Sequence, residues 1–208
     1  MNEEALPQNV TNRVIGYLNI LNRMAKEGLQ MISSRKLAER SGVRPSVVRN
    51  DLSLIGSMEI PGKEYSIYTL LEHLPKKLRL DRIWKVVIIG MGSFGYALVN
   101  DHRFAKNGIE VTFLFDNDPK IVGTKVGSYT VHHVDSIEEK LNGMGIKLAI
   151  LTAQSASAQM IVDRMIRAGI RGIINYTQEY YEVPENVYVH HLDPLLHIQQ
   201  MIPYLDVS

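Results

Sequence analysis

The chain has 208 residues, a formal net charge of +1, 45% hydrophobic and 22% charged residues, and no cysteine. That balance fits a soluble globular protein of two modest domains, and it excludes disulfides, thiolate metal sites and a cysteine nucleophile. The apolar runs are strand-length and the start Met1-Asn2-Glu3-Glu4 has no apolar core behind it, so neither a membrane span nor a signal peptide is expected and a cytoplasmic location is.

The charge is unevenly spread. Residues 1–80 hold 12 Lys+Arg and 8 Asp+Glu, a net +4, and the remainder hold 11 and 14, a net −3. A basic first third on an acidic remainder points to a domain that faces nucleic acid. Within it, Val14, Tyr17, Leu18, Leu21 and Met24 recur at helical spacing and predict a helix over 10–26, stopped by Gly28. Ser33-Ser34 caps a short helix over 35–41 that ends at Gly42, and Arg44-Pro45 opens another that ends at Gly56. Two short helices joined by a glycine turn, after a longer one, describe a helix-turn-helix. Its last helix is the one that enters the major groove. Ser46, Arg49, Asn50 and Ser53 share one face of it at i, i+3, i+4 and i+7, and Val47, Val48, Leu52 and Ile55 supply the buried side. Arg and Asn suit the edges of guanine and adenine. Arg35, Lys36, Arg40 and Arg44 are candidates for phosphate contacts. Residues 58–68 read as two short strands around Pro61-Gly62, a wing whose turn carries only Lys63 between two glutamates. Residues 69–82 read as a linking helix interrupted near Pro75.

From residue 85 the pattern changes. Lys85-Val86-Val87-Ile88-Ile89 is a short buried strand, and Gly90, Gly92 and Gly95 follow at G-x-G-x-x-G spacing before a helix through Phe94, Ala97 and Leu98. The first glycine allows the tight turn, the second the approach of a pyrophosphate, and the third close packing of helix on strand. A second strand over 109–115 ends in Asp116, 21 residues beyond Gly95, where an acid would hold the adenosine ribose. Strands near 129–131, 147–152, 172–176 and 187–191, with helices over 136–141 (capped by Asp135) and 159–167, give a doubly wound parallel sheet of Rossmann type. Its crevice gathers Gly90, Met91, Gly92, Ser93, Phe94 and Gly95, then Asp116 and Asn117, Thr152 and Ala153, and Asn175. No Arg or Lys stands in Asn117-Asp118-Pro119 to neutralise a 2′-phosphate, so NAD(H) is expected over NADP(H). The pairs His132-His133 and His190-His191 lie on strands, where adjacent rings point to opposite faces, so no metal is expected. No general acid or base stands out for turnover, and no room remains for a substrate domain, so an enzyme is not expected. A small NAD-dependent oxidoreductase is the alternative. The tail from Asp193-Pro194 through Leu205 is a capped helix, apolar enough to need a partner.

The motifs taken together resemble the Rex family of bacterial redox-sensing repressors. The matching pieces are Pro7-Gln8-Asn9-Val10-Thr11, Val48-Arg49-Asn50-Asp51-Leu52-Ser53, the 90–95 glycine turn, Phe115-Asp116-Asn117-Asp118-Pro119, the stretch 169–176, Val183-Pro184-Glu185-Asn186-Val187 and His190-His191-Leu192-Asp193. The resemblance implies a winged-helix domain at 1–80, a Rossmann domain at 81–192 and a dimerising helix at 193–208 that is swapped in a homodimer. It also implies binding to a double-stranded DNA operator when NAD⁺ dominates, release by NADH, and no enzymatic activity. Residue by residue, it puts Asp101 where the family commonly has a tyrosine beside the nicotinamide, and pairs Arg13 with Asp193 as an inter-subunit switch contact. The wing and the end of the recognition helix, Ser53-Leu54-Ile55-Gly56, depart from the family pattern. A diverged regulator with a weakened DNA or redox response is therefore a further alternative.

Overall fold

Helix α1 (Gln8–Lys26) buries Val10, Val14, Tyr17, Leu18, Leu21 and Met24, the apolar stripe of its 3.6-residue period. In this computed structural model, which describes residues 6–56, 64–153 and 157–205, that stripe belongs to the core of the first of two compact units, divided between Arg82 and Ile83. Strand β1 (Met31–Ser33) leads into helix α2 (Ser34–Ser41), whose N-cap Ser33 accepts the Lys36 N–H at 3.2 Å and whose C-cap Gly42 is left-handed. Helix α3 (Pro45–Leu54) starts with proline in its first turn, where no N–H is needed. Strand β2 (Glu64–Ser66) pairs antiparallel with β1, Ile32 opposite Tyr65. The expected wing turn, Lys63 included, lies outside the described residues.

Helix α4 (Ile67–Lys77) corrects one expectation, because it runs through Pro75. Proline forgoes one hydrogen bond near the end of the helix, where little helix remains to be lost. The end is then closed by Leu80 N–H to Pro75 O at 2.8 Å and Arg79 N–H to Lys76 O at 3.1 Å, with Arg79 left-handed at φ 57°.

The second unit is a seven-stranded sheet: β3 (Trp84–Ile89), β4 (Ile109–Asp116), β5 (Lys125–Val126), β6 (Tyr129–His133), β7 (Leu148–Leu151), β8 (Gly172–Asn175) and β9 (Tyr188–His191). The order is β5-β6-β4-β3-β7-β8-β9, parallel throughout except for β5. Numbering its six parallel strands in chain order gives 3-2-1-4-5-6, the doubly wound arrangement of dinucleotide-binding folds. The residues of β3 alternate: Val86 and Ile88 join one core, and Val87 and Ile89 join the other. Both faces are therefore packed, which is why that strand reads as a continuous apolar run. Helices α5 (Ser93–Val99) and α6 (Arg103–Lys106) follow β3; α7 (Ile137–Leu141) follows a 3₁₀ turn over Val134–Ser136; α8 (Ala158–Arg167) follows β7; and α9 (Pro194–Met201) ends the described chain with a 3₁₀ turn over Ile202–Tyr204.

Further details differ from the sequence reading, which expected neither β1 nor α6. The β5 hairpin was not expected, since two residues carry no period. Asp135 does not cap α7: its N–H is bonded by the His133 ring, and its carboxylate pairs with Arg164 at 3.0 Å. The terminal α-helix stops at Met201, just before Pro203, which has no N–H to continue it.

Candidate functional site

The strand order reverses between β3 and β7, and the crevice of such a fold lies beyond the carboxyl ends of the strands at that point. The Gly90 turn leaves β3 there and Thr152 leaves β7. The Thr152 N–H donates to Ile89 O at 2.8 Å, and its hydroxyl donates to Gly90 O at 2.7 Å. On the other side, the Gly90 N–H donates to Phe115 O at 2.8 Å. The turn is thus tied to both neighbours.

The three glycines have separate reasons. Gly90 has φ +100°, and a Cβ there would lie 2.5 Å from Ala153 N. A Cβ on Gly95 would lie 2.0 Å from the Gly90 carbonyl oxygen, so helix α5 could not approach β3. A Cβ on Gly92 would meet nothing within 4 Å. The protein's own packing does not demand glycine at 92. The space in front of it is what a pyrophosphate would occupy, so these residues fit a dinucleotide. Ser93 and Phe94 are exposed in the first turn of α5, while Met91 and Gly95 are buried. The Phe94 ring meets that of Tyr176, centroids 4.4 Å apart, and so joins the glycine turn to the loop after β8. Burial raises the Tyr176 phenol above its ordinary pKa. Nothing in the sequence pattern marks that ring contact, since Phe94 and Tyr176 are far apart in the chain.

Asp116 is 6% exposed at the end of β4. One of its carboxylate oxygens accepts the Met91 N–H at 2.5 Å and the other the Asp118 N–H at 2.8 Å. It therefore shapes the glycine turn from behind, and only its remaining lone pairs can face ribose hydroxyls. Asn117, beside it, is exposed. Ala153 sits against the Gly90 turn.

Two expected cofactor residues are not brought into the crevice. Asn175 is fully buried. Its Oδ1 accepts from the Thr177 N–H and hydroxyl at 2.9 and 2.8 Å, and its Nδ2 donates to Glu179 O at 2.8 Å and faces His191 Nδ1 at 3.1 Å. It organises the loop from beneath. Asp101 lies just past the far end of α5, on a hollow shared with Ile83, Ile109 and Glu110 at the amino ends of β3 and β4, opposite the glycine turn. Hydrogen bonds from Arg103 hold its pKa down to about 2. The local chain Asp101-His102-Arg103 favours that pairing, which an alignment of positions does not reveal.

In the first unit, Arg35, Lys36, Arg44, Ser46, Arg49, Asn50 and Ser53 are all exposed, and α3 turns Val48, Leu52 and Ile55 inward. Val47 is only partly buried. Arg40 pairs with Glu27 at 3.6 Å. The Arg49 guanidinium donates to Ser34 Oγ on α2 at 3.3 Å, which braces it. The fourth inward position of α3 is Asp51, 2% exposed, which the apolar pattern passed over. Arg13 grips it with Nε and Nη2, both at 2.7 Å, and the Tyr17 hydroxyl donates to it at 2.8 Å. The hydrogen bonds from Arg13 to Asp51 raise the guanidinium pKa; burial, then the hydrogen bond to Asp51, raise the Tyr17 phenol. Arg13, which the resemblance pairs with Asp193 of a second subunit, is bonded within one chain to Asp51. Asp193 caps α9 by accepting the Leu195 N–H at 2.9 Å. Every residue of α9 is exposed, Ile198 at 56% and Met201 at 60%.

Among the described residues no group of three His, Cys, Asp or Glu could hold a metal ion, and no helix is long and apolar enough to cross a membrane.

Two family models match: "CoA binding domain" over residues 81–179 and "Putative DNA-binding protein N-terminus" over 5–53. The redox-sensing transcriptional repressor Rex of Anoxybacillus flavithermus is 37% identical over 99% of this chain and 97% of its own, and that of Geobacillus sp. is 35% identical over 100% and 97%. Among solved structures, RSP, a Rex-family repressor, in complex with β-NAD⁺ and operator DNA matches with a TM-score of 0.88 and 31% identity, over 97% of this chain and 93% of that one. RSP in complex with β-NADH matches with a TM-score of 0.85 and 30% identity, over 97% and 94%.

Proposed function

The chain belongs to the Rex family of redox-sensing transcriptional repressors, and we propose that its glycine crevice and its α3 face are the two ends of one NADH-controlled DNA switch. It is a DNA-binding repressor that senses the balance of NADH and NAD⁺ and leaves its operator when NADH binds. The observation that carries the reading is the similarity to Rex repressors over 99% of the chain, joined to the open approach at Gly92.

Gly92, Ser93 and Phe94 line the approach to the pyrophosphate, and Asp116 offers its remaining lone pairs to the adenosine ribose. The Asn117-Asp118-Pro119 corner disfavours a 2′-phosphate by repulsion. The nicotinamide ring supplies a charge that is positive when oxidised and absent when reduced. This chain's residues read that difference and do not transfer the hydride. Arg49, Asn50 and Ser46 face base edges, and Arg35, Lys36 and Arg44 face phosphates. The apolar face of α9 is covered by a second copy, so the working form is a homodimer. A repressor that works on DNA in this way acts in the cytoplasm.

The test is fluorescence anisotropy on a labelled operator with NAD⁺, NADH and NADPH titrated in turn. NADH should release the DNA, NAD⁺ should not, and NADPH should act only at much higher concentration. Release by NADPH at the same concentration as NADH, or no effect of either, refutes the reading. Mixing the protein with NADH and candidate carbonyl substrates should consume no NADH; turnover would restore the oxidoreductase alternative.

A further inference from the structure

Asp51 is a buried charge on the helix that faces DNA, and no role in binding either ligand uses it. It lies one residue after Asn50 and two after Arg49, on the opposite side of α3. Arg13 and Tyr17, which hold it, are one turn apart on α1. Three hydrogen bonds from one helix thus converge on one carboxylate of the other.

We infer that the Arg13–Asp51–Tyr17 cluster is a positioning device that fixes the roll of α3, and through it the operator discrimination of Arg49 and Asn50. The inference rests on the DNA-binding reading and deepens it. The other buried side chains of α3 are Val48 and Leu52, with Ile55 at its C-cap, all apolar. Apolar packing is non-directional and accepts small rotations. A two-pronged guanidinium–carboxylate pair does not, since both N–H···O bonds must stay aligned. Side-chain tips on a helix stand about 6 Å from the axis, so a roll of about 10° moves them about 1 Å. That is more than the width of the hydrogen-bond window for a base edge. Phosphate contacts from Arg35, Lys36 and Arg44 arise from α2 and the turn before α3, and they are sequence-blind. Loss of the clamp should therefore lower discrimination and spare general affinity. Buried ion pairs often add little net stability over apolar replacements while specifying one geometry, and that separates the two effects here.

The test is the full-length triple variant Arg13→Met, Tyr17→Phe, Asp51→Leu, which replaces the cluster by apolar groups. Thermal unfolding and circular dichroism report the fold. Anisotropy with NAD⁺ reports affinity for an operator and for a scrambled duplex across a salt series. The expected result is a folded protein with an unchanged salt slope on scrambled DNA and an operator-to-scrambled ratio at least about tenfold lower, the worth of one base contact. A folded variant with the wild-type ratio overturns the inference. If the triple variant does not fold, Tyr17→Phe decides: it keeps the ion pair and removes one hydrogen bond, so the ratio should fall while scrambled-DNA affinity holds, and an unchanged ratio overturns the inference equally. Wild-type protein that fails to discriminate operator from scrambled DNA sinks the DNA-binding reading itself, a separate outcome.

Discussion

Replacing Gly92 and Gly95, each by alanine, separates folding from cofactor binding within one turn. At Gly95 the added Cβ would sit 2.0 Å from the Gly90 carbonyl oxygen, more than 1 Å inside any ordinary contact. Neither atom can give way cheaply, because Gly90 is pinned by Phe115 and Thr152. Helix α5 must lift off β3, which should cost about 3 kcal/mol or more. At Gly92 the same methyl meets nothing within 4 Å and φ is −70°. The only folding cost is a poorer N-cap for α5, about 0.5–1 kcal/mol. With a dinucleotide bound, that methyl would stand between backbone and pyrophosphate. Losing even one charge-assisted hydrogen bond to phosphate is worth about 1.5–3 kcal/mol, or about 10- to 100-fold in affinity. Thermal unfolding and calorimetric titration with NADH measure both quantities on the same samples. Gly92→Ala should unfold near the wild-type temperature and bind NADH at least about tenfold more weakly; Gly95→Ala should unfold well below it. A Gly92→Ala protein that binds NADH as tightly as wild type refutes the placement of the pyrophosphate.

Arg49→Ala should weaken operator binding by about 1–3 kcal/mol while Lys36→Ala weakens all sequences alike; competition against scrambled duplex distinguishes them. Asp116→Ala should relax the preference for NADH over NADPH in calorimetry and, because Met91 N–H loses its acceptor, also lower the unfolding temperature; an unchanged NADH/NADPH ratio counts against the ribose role. Truncation before Asp193 removes the exposed α9 and should abolish the dimer in light scattering along with operator binding. Tyr17 holds its proton in the folded state beyond the ordinary tyrosine value near 10, so above about pH 10 only the unfolded chain releases it. Stability should then fall with rising pH, and Tyr17→Phe should flatten that alkaline decline in denaturant titrations.

Local signals carried the readable part of this chain. The β3 strand, the glycine turn and the capped helices α2 and α3 depend on residues within one turn or one pleat of each other, and sequence periodicity records those directly. What escaped was decided by partners distant in the chain. Arg13 and Asp51 are 38 residues apart, so nothing in the local period of α1 or α3 marks them as partners. Asn175 is a reasonable ligand-facing residue at a strand end until its amide is seen spent on Thr177, Glu179 and His191. Asp101 is the instructive reverse. Its partner Arg103 is two residues away and was visible in the sequence, but the position had been read through another family member's tyrosine.

The buried polar side chains among the described residues share a placement. Ser34 braces Arg49, and Asp51 anchors α3 from behind. Asp116 holds the Met91 amide of the glycine turn, and Asn175 with Thr177 holds the loop that carries Tyr176. Each lies directly beneath α3, the glycine turn or the loop after β8, the segments proposed above to face DNA or the dinucleotide. A polar group in an apolar interior costs several kcal/mol unless it is bonded, so the rest of each core is left mainly to apolar side chains, Val, Ile and Leu foremost. Directional bonds are kept where a non-directional core could not hold a side chain to within an ångström. By that logic the two units, otherwise unlike, solve one problem in one way: helix α3 and the glycine turn are both shaped from below by a buried aspartate with donors on both oxygens.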